Sequence, residues 1–411
     1  MSGPRGSVAL RYAVRSLFRN GRRTILSVAG VAVGCTVALV DIGTARGKVN
    51  MFLRSIGEGG VGHLRVVREG WLESRKAELR VAEWRSVLGR LRADPAVAVA
   101  TPRTRVQGML AMGTRLTGAE VVGVDPATEP KAYRYVRQMS AGRYLQPSDR
   151  RALVLGRTLA NRLRVEPGDQ VVVSAADAGG MVRTDMFEVV GIVDLGGRLD
   201  AAICQVPLAD AEWLSGIPGA GEIAVLLGDA GAVARVRASI AVPKGDAVVS
   251  WSQISPQSAG AVKVNEVTQV IISAILLAVV LLGVASAQLT AILERRREFA
   301  VLAALGAGRW TMVRLVLGEA VALGTASFVA TLALALPLVW YLATTGITVM
   351  AAGGMSVGDI AIVDTVFRSD FGRWFFVDAA LLAYAATVLA SIYPALFAAR
   401  FQPAEALRVA G

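Results

Sequence analysis

The way charge is distributed along the chain limits its fold more than any other feature. Segments 24–40, 267–293, 320–358 and 379–399 contain no Asp, Glu, Lys or Arg. A helix needs about 20 mostly apolar residues to cross a bilayer core, because each residue adds about 1.5 Å toward a span of about 30 Å. The pattern predicts an α-helical membrane protein with four transmembrane helices, over 24–44, 267–293, 314–344 and 376–399. Residues 45–266 are left as one large insert between the first and second spans.

The chain carries 44 Lys and Arg against 32 Asp and Glu, a formal net charge of +12. Spread over a solvated surface, that excess would suggest nucleic acid. Most of it is confined to three short segments instead. Residues 1–23 hold six arginines and no acid, the stretch 294–314 adds five, and the tail 400–411 adds Arg400 and Arg408. Basic residues gather on the cytoplasmic side of spans. Both termini and the loop 294–313 are therefore expected in the cytoplasm, and 45–266 and the loop 345–375 outside; nucleic acid is not an expected partner. The first apolar run is longer than the core of a signal peptide and lacks a small-residue cleavage site, so an uncleaved anchor is expected. Before it, Leu10, Val14, Leu17 and Phe18 share one helical face, while Arg11, Arg15, Arg19 and Arg22 share another. That spacing fits an elbow helix lying in the headgroup layer.

The insert reads as an α+β domain. Alternating apolar runs predict strands at 63–67, 119–124, 170–175 and 186–193, with helices over 82–93 and 157–163. A strand near 97–106, a returning strand at 222–227, a helix at 232–240 and a strand near 247–251 complete a split α/β unit. A β-rich subdomain, from about 111 to 221, is expected to interrupt it.

Few residues suit catalysis or metal binding. The two cysteines, Cys35 and Cys204, lie in no CxxC, and His63 is the single histidine, so a zinc cluster or an HExxH helix has no ligands. There is no GxxxxGK[ST] phosphate loop and no GxSxG elbow. No catalytic residue, metal site or cofactor of its own is expected, and His63 reads as a surface or packing residue. Asp41 and Glu319 fall near span ends, where a charge either marks function or reaches the interface. Gly30 and Gly34 have the spacing that lets helices approach closely.

Residues 294–310 read ERRREFAVLAALGAGRW and are followed by TMVRLVLGEA. This resembles the loop of MacB/FtsX-like ABC transporter permeases. LRYAVRSLFRNGRRTILSVAGVAVG resembles the family's elbow and first span, and YPALFAARFQPAEALR its closing motif. GHLRVV, GVDP, GRYL, VLGRTLANRLRVEPGDQV and FEVVGIVDLG resemble the external domain of its lipoprotein-releasing LolC/LolE branch.

The resemblance implies a non-catalytic permease subunit of the bacterial inner membrane. Its coupling helix would dock on a separate ATPase through Glu294, Arg295, Arg296, Arg297 and Glu298, with Leu302 and Leu305 as apolar contacts and Gly306 at the turn. ATP and Mg would be bound by two copies of that ATPase, beside a second permease chain, identical or related. Motion transmitted to the external domains would extract lipoproteins or other lipidated substrates from the outer leaflet. A periplasmic carrier or adaptor and membrane lipid would be further partners. A MacB-like efflux permease and an FtsX-like signalling scaffold are the alternatives.

Overall fold

The computed structural model describes residues 21–398 except 75, 77, 134, 135, 137, 195, 196, 295–297, 299, 300, 302, 303, 306, 307, 349–355, 358, 359 and 362–365. Its elements in chain order begin with α1 (Gly21–Glu58), β1 (Leu64–Arg68), α2 (Trp71–Ser74), α3 (Trp84–Ala93), β2 (Val97–Met112), β3 (Arg115–Val124) and α4 (Glu129–Ala132). Then follow β4 (Met139–Gly142), β5 (Ala152–Gly156), α5 (Arg157–Leu163), β6 (Gln170–Ala176), β7 (Val182–Val193), β8 (Cys204–Pro207), α6 (Leu208–Ser215) and β9 (Glu222–Leu227). The remainder is α7 (Val233–Ser239), β10 (Asp246–Ser250), α8 (Trp251–Ile254), α9 (Pro256–Glu294), α10 (Arg309–Thr344), four two-residue strands β11 to β14 between Ile347 and Phe367, and α11 (Trp374–Ala398).

The chain divides into two compact units. The helical unit takes residues 1–48, 265–347 and 367–411. Among the described residues, four of its helices are long and apolar enough to cross a membrane. At 38 and 39 residues, α1 and α9 would each extend about 57 Å, nearly twice the thickness of a hydrocarbon core. The helices meet through apolar clusters such as Val31, Cys35, Val284, Ala383 and Ala390. Of the glycine pair in α1, Gly34 lies against Val280 of α9, whereas Gly30 faces open space. Gly324 of α10 does the same work against Thr387 and Tyr384 of α11.

The α+β unit, residues 49–264 and 348–366, is organised by one long strand. The first half of β2, from Val97 to Arg103, pairs antiparallel with β9, which pairs with β1, which pairs with β10. Its second half pairs with β3 on one side and with β6 on the other. From there β3 pairs with β8, β8 with β5, β5 with β7 and β7 with β6, so six strands close on themselves as a barrel. Closure removes the free edges that a flat sheet of this size would expose.

Alternation in these strands fills the barrel with Val106, Leu110, Val121, Leu153, Leu155, Val171, Val173, Phe187 and Val206. The four-stranded part has its own core on one face, where Leu64, Val66, Ile223 and Val225 pack under Val87, Leu88 and Leu91 of α3 and Val236 of α7. Both cysteines are buried and free.

Candidate functional site

The other face of the four-stranded part is charged and buried. Period-two alternation puts His63, Arg65, Thr101, Arg103, Arg105 and Glu222 opposite the apolar residues just named. His63, Arg65 and Arg103 bond backbone carbonyls in the last turns of α1 and just beyond its end. Phe52 and Ile56 of α1 are buried among Leu53, Val61, Trp251 and Val262, and the Phe52 and Trp251 rings meet edge to face at 6.0 Å. The helix stops where Gly60 and Gly62 take positive φ of 106° and 79°, a conformation that a side chain would strain. The carbonyls left over at that stop are then claimed by the sheet.

Arg103 donates from Nη1 to the Gly60 carbonyl at 2.5 Å, and Arg65 from Nε to the Val61 carbonyl at 2.9 Å. The His63 ring faces the Leu53 carbonyl from Nε2 at 3.1 Å and accepts the Leu227 N–H at Nδ1 at 3.0 Å. Each cation is balanced. Arg103 grips Glu129 with Nε and Nη2, and its guanidinium lies 4.1 Å from the Tyr133 ring centroid. Glu222 is shared between Arg65 Nη1 and Arg105 Nε, each at 3.0 Å, and Arg105 also reaches Glu120.

Arg103 is 2% exposed and Glu129 0%. Ions so far from water persist only when paired and hydrogen-bonded on most sides. Burial raises the Glu222 carboxyl, but Arg105, Arg65 and Arg103 outweigh it and hold its pKa at about 2. Burial lowers the Arg65 guanidinium to about 10, against the pull of Glu222, and raises Tyr133 to about 12. The cluster is a fixed, ionised network. Its buried guanidinium and carboxylate groups bond one another and the backbone at the end of α1, which gives it the character of a mechanical joint.

In the helical unit, Asp41 of α1 accepts from Gln269 Nε2 at 2.5 Å and Ser273 Oγ at 3.0 Å, both on α9. A carboxylate in an apolar helix is thereby given two donors. Arg46 lies over the Trp374 ring at 4.2 Å and pairs with Asp378.

The stretch between α9 and α10 has the opposite character. Glu294 is the last residue of α9, Glu298 and Val301 are helical, and Leu305 is in a turn whose N–H bonds the Val301 carbonyl at 3.0 Å. Gly308 then precedes the first turn of α10. Leu305 is 80% and Trp310 74% exposed. Arg295, Arg296, Arg297, Leu302 and Gly306 lie outside the described residues, as do the elbow residues Arg11, Arg15 and Arg19; Arg22 is the second residue of α1, with only its backbone described.

The buried joint is what sequence reasoning missed. Arg65, Arg103 and Glu222 alternate with apolar residues as solvent-facing strand positions do, so no local signal separates the two cases. His63 is a packing residue, but with both ring nitrogens engaged.

Two family models match the chain: the MacB-like periplasmic core domain over residues 24–242 and the C-terminal region of FtsX-like permeases over 270–403. The chain belongs to the MacB/FtsX-like permease family. Among similar relatives of these permeases is the lipoprotein-releasing system transmembrane protein LolC of Xylella fastidiosa, 25% identical over 98% of both chains. The corresponding LolE of Haemophilus influenzae is 22% identical over 93% of both. The periplasmic region of MacB from Actinobacillus actinomycetemcomitans is similar over 50% of this chain and 94% of that one, at 17% identity and a TM-score of 0.35. The core-domain match covers the charged residues of the joint, though not Trp251 and Val262 packed beside them, and the permease match covers the 294–309 stretch.

Proposed function

We propose that the chain is the permease subunit of an ABC transporter that extracts lipoproteins or other lipidated substrates from the outer leaflet of the inner membrane. The observation that carries this reading is the match to LolC along 98% of both chains, through helices and insert alike. Hydrolysis belongs to a partner: two copies of an ATPase bind ATP and Mg and dock on the loop around Glu294, Glu298 and Leu305, with a second permease chain completing the assembly. Exposed apolar side chains on a short loop between two spans are suited to such a contact. Both termini and this loop face the cytoplasm, as the basic flanks suggest.

Motion of the loop reaches the external domain through α1 and α9, whose lengths exceed the bilayer, in a mechanotransmission scheme that moves no substrate through the spans. Outside, the barrel face bearing Met109, Leu116 and Met186, each 45% exposed or more, offers an apolar sheet surface to a carrier or adaptor. Depletion of the protein in its host tests the cargo. Lipoproteins should accumulate in the inner membrane; unchanged sorting, with loss of a peptide or drug efflux phenotype instead, would move the assignment to a MacB-like pump.

A further inference from the structure

His63 sits where the end of α1 meets the sheet, 3% exposed, and its two partners fix its chemical state. The backbone N–H of Leu227 can only donate, so Nδ1 must offer a lone pair. The Leu53 carbonyl can only accept, so the ring proton is on Nε2. The neutral Nε2–H tautomer is the one form that satisfies both. A second proton, on Nδ1, would point at the Leu227 N–H, donor against donor, in a site closed to water.

The site gives the ring little room to turn away. A Cβ on Gly57 of α1 would come within 2.5 Å of His63 Cε1 and 2.7 Å of Leu226 Cδ1, so helix, ring and strand are in direct contact. On the other side, the Trp251 N–H donates to the His63 carbonyl at 3.1 Å. From the β9 side Asp229 attracts a proton to the ring, Arg65 on β1 is occupied by Glu222 and Val61, and Arg54 on α1 is exposed. Burial works against the proton more strongly than Asp229 works for it, and lowers the ring's pKa from its usual value of 6.5.

We propose that neutral His63 is a positioning residue for the transport stroke: a two-sided hydrogen-bond clip that ties the last turns of α1 to β9 and that protonation opens. Its consequence for transport rests on the permease reading above, whereas the clip itself is a property of the chain alone. The sign follows from the lowered pKa: the clip is intact above about pH 6.5 and weakens as pH falls below it, because the open state binds the proton better. Acid should therefore loosen the end of α1 from the sheet before it disturbs the ionised network, where Glu222 is held at about 2.

His63 is the chain's single histidine, so an untagged, isotope-labelled full chain in lipid nanodiscs gives one imidazole signal set by NMR. The expected result is the Nε2–H tautomer at pH 7.5 and one titration with a midpoint below 6.5. Amide exchange, corrected for its intrinsic pH dependence, should show protection at Leu227 and at 53–62 falling at least tenfold across that same titration. In His63→Gln the side-chain oxygen can accept from Leu227 and the amide can donate to Leu53, so protection should persist in acid. A Nδ1–H tautomer, or protection that follows the same pH course in wild type and His63→Gln, would overturn the clip; if the glutamine variant fails to fold, the wild-type tautomer and coincident titration decide alone. Lipoprotein retention in cells reads the permease function separately, so either idea can fail without the other.

Discussion

The joint at the end of α1 and the stretch between α9 and α10 invert each other's chemistry. At the joint, guanidinium and carboxylate groups are buried, with Arg103 at 2% exposure, and bonded to one another and to the helix end. In the 294–310 stretch it is leucine and tryptophan that are exposed, Leu305 at 80% and Trp310, at the start of α10, at 74%. Directional, charge-assisted bonds within one chain suit a part that must move as one piece. Exposed apolar side chains suit a part whose partner arrives from elsewhere. The contrast is between a buried internal connection and exposed apolar side chains with the character of a contact surface.

Arg103→Ala should have the largest effect, since it leaves Glu129 buried without its cation. Destabilisation of about 3–5 kcal/mol is expected. Denaturant unfolding of the full chain, followed by tryptophan fluorescence, would measure it; an effect near zero would deny the joint its role. Leu305→Asp should leave that unfolding curve unchanged and weaken binding of the ATPase by about 30-fold, the scale of an interface hot spot. Gly57→Ala is expected to cost about 1–3 kcal/mol, as overpacking does, because its Cβ would meet His63 and Leu226. Gly30→Ala serves as the control: nothing lies within 4 Å of the added Cβ, so a change within about 0.5 kcal/mol is expected.

Much of the fold is legible locally. Alternation places the strand Glu222–Leu227 at the residues read from the sequence and the helix Arg157–Leu163 likewise, because both signals lie within a few residues. The extent of α1 is not: Arg46, Lys48 and Arg54 look like departure from the membrane, yet the helix continues to Glu58 because Phe52 and Ile56 find a core. Barrel closure depends on β2 meeting β6, a pairing of residues such as Gly108 and Ala175 that no local pattern announces. The insert expected from about residue 111 likewise meets a strand that already runs unbroken from Val97 to Met112.

Only one of the two regions carries a family resemblance in its own sequence. The 294–310 motif identifies its family by residue type and order. The joint has no such signature: Arg65 finds Glu222 157 positions away, and His63 finds the Leu227 N–H across 164. In one dimension these residues are indistinguishable from a solvated strand face.

The most direct test of the account titrates the partner ATPase onto the full chain in nanodiscs, for wild type and Leu305→Asp, with exchange protection at Leu227 followed in the same samples. The variant is expected to lose ATPase binding while Leu227 stays as protected as in wild type. Wild-type affinity in Leu305→Asp, or loss of protection at Leu227 together with binding, would contradict the separation of an open docking loop from a fixed joint.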